Sequence, residues 1–194
     1  MTQSEINKII CDLFDQSSKV ILESKELSKK LEQTIQAIIQ AYQNDCKVII
    51  FGNGGSAADS QHFAAELIGR FLSERKSLAA IALSTDTSII TALGNDYGFE
   101  KIFSRQCESL VIQGDIVIGI STSGNSKNVL EAISVSKSKG ATTIGISGVD
   151  GGHLHNLVDI SLTVPSNSTP RIQEGHRIII HIICELVENY FSKH

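Results

Sequence analysis

The sequence of 194 residues contains no tryptophan, only two prolines, and no apolar run near the roughly 20 residues that span a bilayer. We therefore expect no membrane contact. Its 17 basic residues are outnumbered by 21 acidic ones, which gives a net charge of −4 and argues against a nucleic-acid surface. The first residues, MTQSEINKIICDLFDQ, lack the apolar stretch and cleavage site of a signal peptide, so we expect a cytoplasmic protein.

Cysteine is sparse and unclustered. Cys11, Cys46, Cys107 and Cys184 form no C-x-x-C pair, so we expect four free thiols packed as small hydrophobic side chains. A content of 41% hydrophobic and 20% charged residues is ordinary for a globular chain. No linker, repeat or low-complexity segment divides the sequence, which predicts one domain over residues 1–194.

The first part of the chain predicts a long helical arm. Over residues 4–44, apolar residues recur at spacings of three and four, and no proline or glycine interrupts them. A break is expected near Ser17–Ser18 or Ser24. Two roles remain open for this arm, because it can pack on a neighbouring subunit or cover one face of the sheet.

The rest of the chain alternates apolar runs with helical patterns. The runs are continuous rather than alternating, which indicates strands buried on both faces of a sheet. Their order predicts an α/β fold with a five-stranded, parallel, doubly wound sheet, whose ligands bind beyond the carboxyl ends of the strands. The predicted strands are 47–52, 78–83, 115–121, 141–147 and 159–164, and the predicted helices are 55–70, 86–93, 99–110, 125–139 and 169–191.

Three loops after these strands are rich in glycine and small polar residues: GNGGS (52–56), STSGNS (121–126) and SGVDGG (147–152). The second offers hydroxyl donors at the start of a helix, where the positive end of the dipole favours a phosphate group. A sugar phosphate fits this pattern, and a helix cap with solvated serines is the alternative. The loop G-x-x-x-x-G-K-[ST] of triphosphate sites is absent, and no acidic residue stands where a dinucleotide ribose needs one.

Two further patterns indicate chemistry. His62 and Glu66 are four residues apart and share one face of the helix after GNGGS, among small apolar residues that imply burial. They can be a surface hydrogen-bonded pair, a base with its partner, or metal ligands. His181 stands among isoleucines in the last helix, where a lone histidine is most simply a core residue.

Four segments together resemble the sugar isomerase (SIS) domain family, and within it the phosphoheptose isomerases: GNGGSAADSQHFAAELIGRF, ALGNDYGFEKIFSRQ, GDIVIGISTSGNS and RIQEGHRIIIHIICELVE. The resemblance runs in order over nearly the whole chain. It implies a three-layer αβα fold, with residues 1–45 as an arm used in oligomerisation and 46–194 as the α/β core. It also implies a homotetramer whose sites lie at subunit interfaces.

The resemblance implies a reaction as well. D-sedoheptulose 7-phosphate becomes D-glycero-D-manno-heptose 7-phosphate through an enediol, an early step toward activated heptose for lipopolysaccharide or other surface glycans. Glu66 is implied as the base and His181 as its acid/base partner. The phosphate contacts implied are Ser121, Thr122, Ser123 and Ser126, the sugar contacts are Asn53, Gly54, Gly55, Glu66, Asn95, Asp96 and Gln173, and the ligands of one zinc ion per subunit are His62, Glu66, Gln173 and His181.

Other members of the fold family provide the alternatives. One is a non-catalytic SIS protein that binds the bacterial replication initiator, another is a sugar-phosphate sensor, and a third is an isomerase of arabinose or hexulose phosphates. The first two need neither Glu66 nor His181. The zinc set also carries a geometric difficulty, because Gln173 and His181 lie ~12 Å apart along an unbroken helix.

Overall fold

The computed structural model describes residues 1–193, where eight α-helices and five strands follow the expected order. The arm consists of α1 (Gln3–Glu23), a 3₁₀ turn (Ser24–Leu27) and α2 (Ser28–Gln43). The core consists of β1 (Val48–Gly52), α3 (Gly55–Ile68), β2 (Ala80–Ala82), α4 (Thr87–Tyr97), a 3₁₀ turn (Phe99–Lys101), α5 (Ser104–Leu110), β3 (Ile116–Ser121), α6 (Lys127–Ser138), β4 (Thr142–Gly148), α7 (Gly152–Leu157), β5 (Ile160–Val164) and α8 (Thr169–Phe191).

The five strands form one parallel sheet in the order β2-β1-β3-β4-β5, which confirms the predicted doubly wound topology. Every residue of β1 and β3 is buried, as their continuous apolar runs predict. Because all strands run in the same direction, the residues that follow β1, β3 and β4 meet at one edge of the sheet. Those residues begin the three polar loops.

Helices cover both faces of the sheet, which confirms the three-layer arrangement. Successive residues of a strand point to opposite faces, so Ile50 packs with Phe63 and Ile180 under α2, α3 and α8. Its neighbour Phe51 packs on the other face with Phe103 of the α5 region, the two rings lying 5.2 Å apart. The layer that contains α3 and α8 also carries the predicted acid/base residues.

The arm breaks at the 3₁₀ turn Ser24–Leu27, at one of the two expected places. Its two helices behave differently within the chain. α2 buries Leu31, Ile35 and Ile38 against the sheet layer, whereas α1 has no buried residue. α2 therefore covers the sheet, whereas α1 contacts the core through Val20 near its end and leaves most of its apolar side chains exposed within one chain.

Two smaller expectations need correction. All four cysteines are free, but only Cys107 and Cys184 are packed inside, whereas Cys11 is exposed and Cys46 is partly exposed. Burial raises the pKa of Cys107 to about 11 and that of Cys184 to about 12, so both thiols stay protonated. The glycine-rich piece after β4 contains the short helix α7.

No helix of residues 1–193 is long and apolar enough to cross a membrane.

Candidate active site

The serine loop between β3 and α6 presents hydroxyl groups that are not used to cap the helix. Ser126 is the N-cap residue of α6, yet its side chain makes no capping hydrogen bond. Its Oγ instead lies 3.0 Å from Oγ of Ser121, which is 4% exposed. The capping alternative is therefore incorrect for Ser126, and the hydroxyl pair lies at the positive end of a 12-residue helix.

The serine loop is held in shape by the loop after β4. The N–H of Gly148 donates to the carbonyl of Thr122 at 3.1 Å, and the N–H of Leu154 donates to the carbonyl of Gly124 at 3.0 Å. Gly124 has a positive φ of 65°, and a Cβ there would collide with the carbonyl of Gly151. Close contact between these two loops therefore requires glycine at 124.

A pair of amides joins the GNGGS loop to the start of α6, directly after the serine loop. Nδ2 of Asn53 donates to Oδ1 of Asn128 at 2.9 Å, and Nδ2 of Asn128 donates back to Oδ1 of Asn53 at 2.9 Å. Asn128 lies at the start of α6 and is 2% exposed. This closed pair leaves the side-chain amide of Asn53 with one N–H donor and one acceptor lone pair free for a ligand.

The helices α3 and α8 lie side by side and run in the same direction, with their contacts in register. At the first contact, a Cβ on Gly55 would lie 2.5 Å from Nε2 of Gln173, so a larger residue at position 55 would displace that amide. One turn on, Nη2 of Arg177 donates to Oδ1 of the buried Asp59 at 2.6 Å.

The third contact of the two helices contains the predicted acid/base residues. Nε2 of His62 lies 3.0 Å from Nε2 of His181, and Oε1 of Glu66 lies 3.5 Å from Nε2 of His62. Burial lowers the pKa of His181, and the charges of His62 and Arg177 lower it further, against the opposing charge of Glu66. His181 is therefore neutral near pH 7, so one of its ring nitrogens can donate while the other accepts.

The four residues predicted as zinc ligands do not meet around one point in this chain. His62 contacts both His181 and Glu66, whereas Gln173 lies against Gly55 at the opposite end of the helix pair. Within residues 1–193, no group of three or more His, Cys, Asp or Glu side chains is arranged to hold a metal ion. The helical rise along α8 explains why Gln173 lies apart from His181.

Two other expectations are modified by the structure. The side chain of Glu66 keeps 22% of its exposure, so its expected burial is incomplete within one chain. Asn95 and Asp96 lie exposed near the end of α4, where Nδ2 of Asn95 donates to Oδ1 of Asp96 at 2.8 Å. In the described part of the chain, no hydrogen bond of these two side chains reaches the rest of the predicted site.

Sequence reasoning missed His176, which connects α8 to the carboxyl end of β4. His176 is fully buried, and its Nε2 lies 3.0 Å from the carbonyl oxygen of Ser147. Its Nδ1 is buried with no hydrogen-bond partner among residues 1–193. Burial lowers its pKa, so the ring is neutral in the folded protein. Asp59, Asn128 and Arg177 were missed as well, since each acts through a partner far away in sequence.

Known proteins resemble this chain in sequence and in fold. Residues 13–148 match the family model described as SIS domain. A phosphoheptose isomerase of Citrifermentans bemidjiense is 57% identical over 163 residues, which cover 84% of this chain and 85% of that protein. The structure of phosphoheptose isomerase from Neisseria gonorrhoeae matches with a TM-score of 0.90 at 41% identity, covering 95% of this chain and 99% of that one. The structure of a phosphoheptose isomerase from Francisella tularensis gives 0.92 at 36% identity, covering 97% and 100%.

The buried neutral His176 predicts a fall in stability at mildly acidic pH. An unfolded histidine takes up a proton below about pH 6.5, whereas the lowered pKa keeps folded His176 neutral, so acid favours the unfolded state. We expect the urea midpoint to fall between pH 7.5 and pH 5.5. His176→Gln, whose amide can still donate to Ser147, should be less stable at pH 7.5 but should lose less on acidification.

The control for this experiment is His153→Gln, because His153 is exposed and lies outside the buried contact. It should keep the full pH dependence of the wild type. The pKa of His181 is lowered too, so the stability of His176→Gln should still fall with pH, but with a smaller slope than that of the wild type. Equal slopes in wild type and His176→Gln would show that His176 does not titrate as proposed.

Proposed function

We propose that this chain, which belongs to the phosphoheptose isomerases of the SIS domain family, converts D-sedoheptulose 7-phosphate to D-glycero-D-manno-heptose 7-phosphate. The reaction moves the carbonyl group from C2 to C1 through an enediol. Phosphate and reacting carbons stand at opposite ends of this substrate. The enzyme therefore needs a phosphate-binding group and an acid/base group that are several ångströms apart.

The observation that carries this proposal is the placement of those two groups along α3. The serine loop and the start of α3 lie at the carboxyl edge of the sheet, where hydroxyls and helix N-termini suit a phosphate. His62 is seven residues farther along, roughly 10 Å by helical rise, and contacts both His181 and Glu66. A sugar phosphate anchored at the loops extends toward the acid/base residues.

Glu66 and His181 have different roles in the mechanism that we infer. The carboxylate of Glu66 removes the proton from C1, and the ketose oxygen O2 takes a proton from His181, which gives the enediol. His181 then accepts the O1 proton while Glu66 returns a proton to C2, so the aldose forms with no net proton change. A neutral His181 suits this role, because a neutral imidazole can both donate and accept.

The remaining sugar contacts lie at the start of the helix pair. We assign the hydroxyl contacts to Asn53, Gly54, Gly55 and Gln173, which lie at the carboxyl edge of β1 and the start of α8, and the phosphate contacts to Ser121, Thr122, Ser123 and Ser126. Asn95 and Asp96 are exposed, and their side chains make no hydrogen bond to these groups in the described part of the chain. Their assignment therefore requires a site completed by a neighbouring subunit.

We further propose that zinc binds at the two imidazoles, one ion per subunit. Donor atoms held tetrahedrally at zinc lie roughly 3.3–3.6 Å apart, and the contacts of His62 with His181 and Glu66 measure 3.0 and 3.5 Å. The side chains of His62, Glu66 and His181 are near this spacing but are not arranged to hold a metal ion among the described residues of one chain, so zinc binding requires them to adjust. Gln173 joins them only by rearrangement or from a second copy. When bound, the ion would polarise sugar oxygens as a Lewis acid.

We also propose that the protein is a cytoplasmic homotetramer that supplies heptose for lipopolysaccharide or other surface glycans. The support for assembly lies in α1, where apolar side chains that include Ile6, Ile10 and Phe14 are 44%, 46% and 70% exposed. We propose that these side chains pack into the apolar groove of a second copy, which lies between the arm and α8 and has a volume of about 810 Å³. That groove is lined in part by Ile21, Leu31, Ile35, Ile178, Ile182 and Leu186.

The activity prediction is tested with sedoheptulose 7-phosphate and pure protein in D₂O. The wild type should form aldoheptose 7-phosphate, with deuterium entering at C2 as the base exchanges its proton with solvent. Glu66→Gln and His181→Gln should each lower kcat/KM by about 10²–10⁴, the usual contribution of a positioned acid or base. NMR follows both the product and the label.

Glu108→Gln is the matched control, because Glu108 is an exposed glutamate of α5 that pairs with Arg105 on the surface. It should keep wild-type turnover. No turnover by the wild type, with or without added zinc, would contradict the isomerase proposal. The protein should then be tested for binding to the replication initiator, which is the alternative that needs neither Glu66 nor His181.

The zinc prediction is tested by metal analysis and thermal unfolding. After treatment with a chelator and dialysis against zinc, the wild type should retain about one ion per chain and show a raised Tm, because ligands stabilise the state that binds them. His62→Gln and His181→Gln should lose both effects. His153→Gln, which removes an exposed histidine elsewhere, should keep them, and a wild type that retains no zinc would refute the proposal.

The assembly prediction is tested with one charge placed on the apolar side of α1. Ile10→Glu should shift the mass measured by light scattering from a tetramer to smaller species at low micromolar concentration. The variant should remain folded, with the circular dichroism spectrum of the wild type, because α1 buries no residue within the chain. Lys8→Glu, on the opposite side of α1 by helical periodicity, should stay tetrameric. A monomeric wild type, or an unchanged Ile10→Glu, would exclude this role for α1.

A further inference from the structure

The segment between α3 and β2 has no helix or strand of its own, yet its main chain is held tightly by one buried carboxylate. Glu188, near the end of α8, is 2% exposed. Its two oxygens accept hydrogen bonds from the consecutive N–H groups of Phe71, Leu72 and Ser73 at 2.6, 2.6 and 2.7 Å. Three charge-assisted bonds of this length fix the path of the segment.

Arg75 completes this arrangement from inside the same segment. Its side chain is 1% exposed, and its Nε lies 3.6 Å from Oε2 of Glu188. Its Nη2 donates to the carbonyl of Glu66 at 2.8 Å, and its Nη1 donates to the carbonyl of Gly69 at 3.1 Å. Burial by itself raises the pKa of Glu188, but the three N–H groups and Arg75 outweigh it and lower that pKa, so the carboxylate is ionised.

The held segment contacts the acid/base residues. The ring of Phe71 packs on the imidazole of His181, with centroids 5.5 Å apart and planes inclined by 43°. The ring of His62 lies 5.2 Å from His181. His181 is thus in contact with the rings of both His62 and Phe71. Phe71 is also one of the residues whose main-chain N–H group donates to Glu188.

We propose that Glu188 is a positioning residue for the isomerase reaction, and this inference rests on the proposed function. Glu188 and Arg75 hold residues 71–73 so that Phe71 keeps the imidazole of His181 in its reactive orientation, and Arg75 secures the main chain at Glu66. We call this set, Glu188, Arg75 and residues 71–73, the Glu188 clamp. Neither clamp side chain touches substrate, so they act through Phe71 and the end of α3.

The first test is Glu188→Gln, which keeps the size of the side chain but replaces one acceptor oxygen with a donor. At least one of the three N–H groups then loses its partner, and Arg75 loses its counter-charge. We expect kcat to fall by about tenfold to a hundredfold, because small misplacements of reacting groups slow catalysis by about this much. KM should stay within about twofold, because the phosphate loops lie at the other end of α3. Glu185→Gln, an exposed change on the same helix, is the matched control with wild-type kcat.

The second test is Phe71→Leu, which keeps an apolar side chain but removes the ring. It tests the proposal independently if Glu188→Gln does not fold. It should lower kcat to a similar degree with little change in KM. The double variant should lose much less than the product of the two single losses, because Glu188 acts in large part through Phe71. Full kcat in Phe71→Leu, or additive losses in the double variant, would overturn the proposal.

A readout without turnover separates this inference from the proposed function. The Hε1 resonance of His181, assigned by its absence in His181→Gln, should move in Phe71→Leu as the ring is removed and in Glu188→Gln as the segment shifts. Glu185→Gln should leave it in place. If the wild type shows no isomerase turnover, the proposed function fails, and the resonance still reports whether the Glu188 clamp positions His181. An unmoved resonance in Glu188→Gln overturns the positioning role.

Discussion

The candidate site depends on the register in which α3 packs beside α8. The two helices run in the same direction over one face of the sheet, and their contacts repeat about once per turn. Gly55 meets Gln173, Asp59 meets Arg177, and His62 meets His181. A slip of one residue would rotate each side chain by about 100° and separate every pair. The Asp59–Arg177 pair, with a buried carboxylate, gives this register a charge-assisted bond one turn before the imidazoles.

The sheet supplies the second constraint. Parallel strands end at one edge, so loops that are distant in sequence become neighbours there. The amide pair of Asn53 and Asn128 and the glycine contact of Gly124 with Gly151 join the three loops into one surface. Helix α3 starts at that surface and carries His62 and Glu66 away from it. In the proposed mechanism, the distance between phosphate binding and proton transfer is therefore set by the length of a helix.

The sequence predicted most of the elements and part of the site. Five continuous apolar runs identified the strands within about two residues, because buried parallel strands need such runs. His62 and Glu66 were identified as a pair because helical spacing is local. Glu188, Asn128 and His176 were not found, since each is defined by a partner at least 29 residues away in the chain. Cys11 and Glu66 proved more exposed than their apolar neighbours indicated.

The sequence by itself determined the order of strands and helices, the polar loops after the strands, and the residue types available for chemistry. These features follow from local periodicity and from the conformational demands of glycine and small polar residues. Only the tertiary structure decided that His62 meets His181, that Gln173 lies apart from both, and that Glu188 holds the segment beside them. The physical reason is that helix packing brings together side chains from distant parts of the chain, and the register of that packing is not encoded in any one segment.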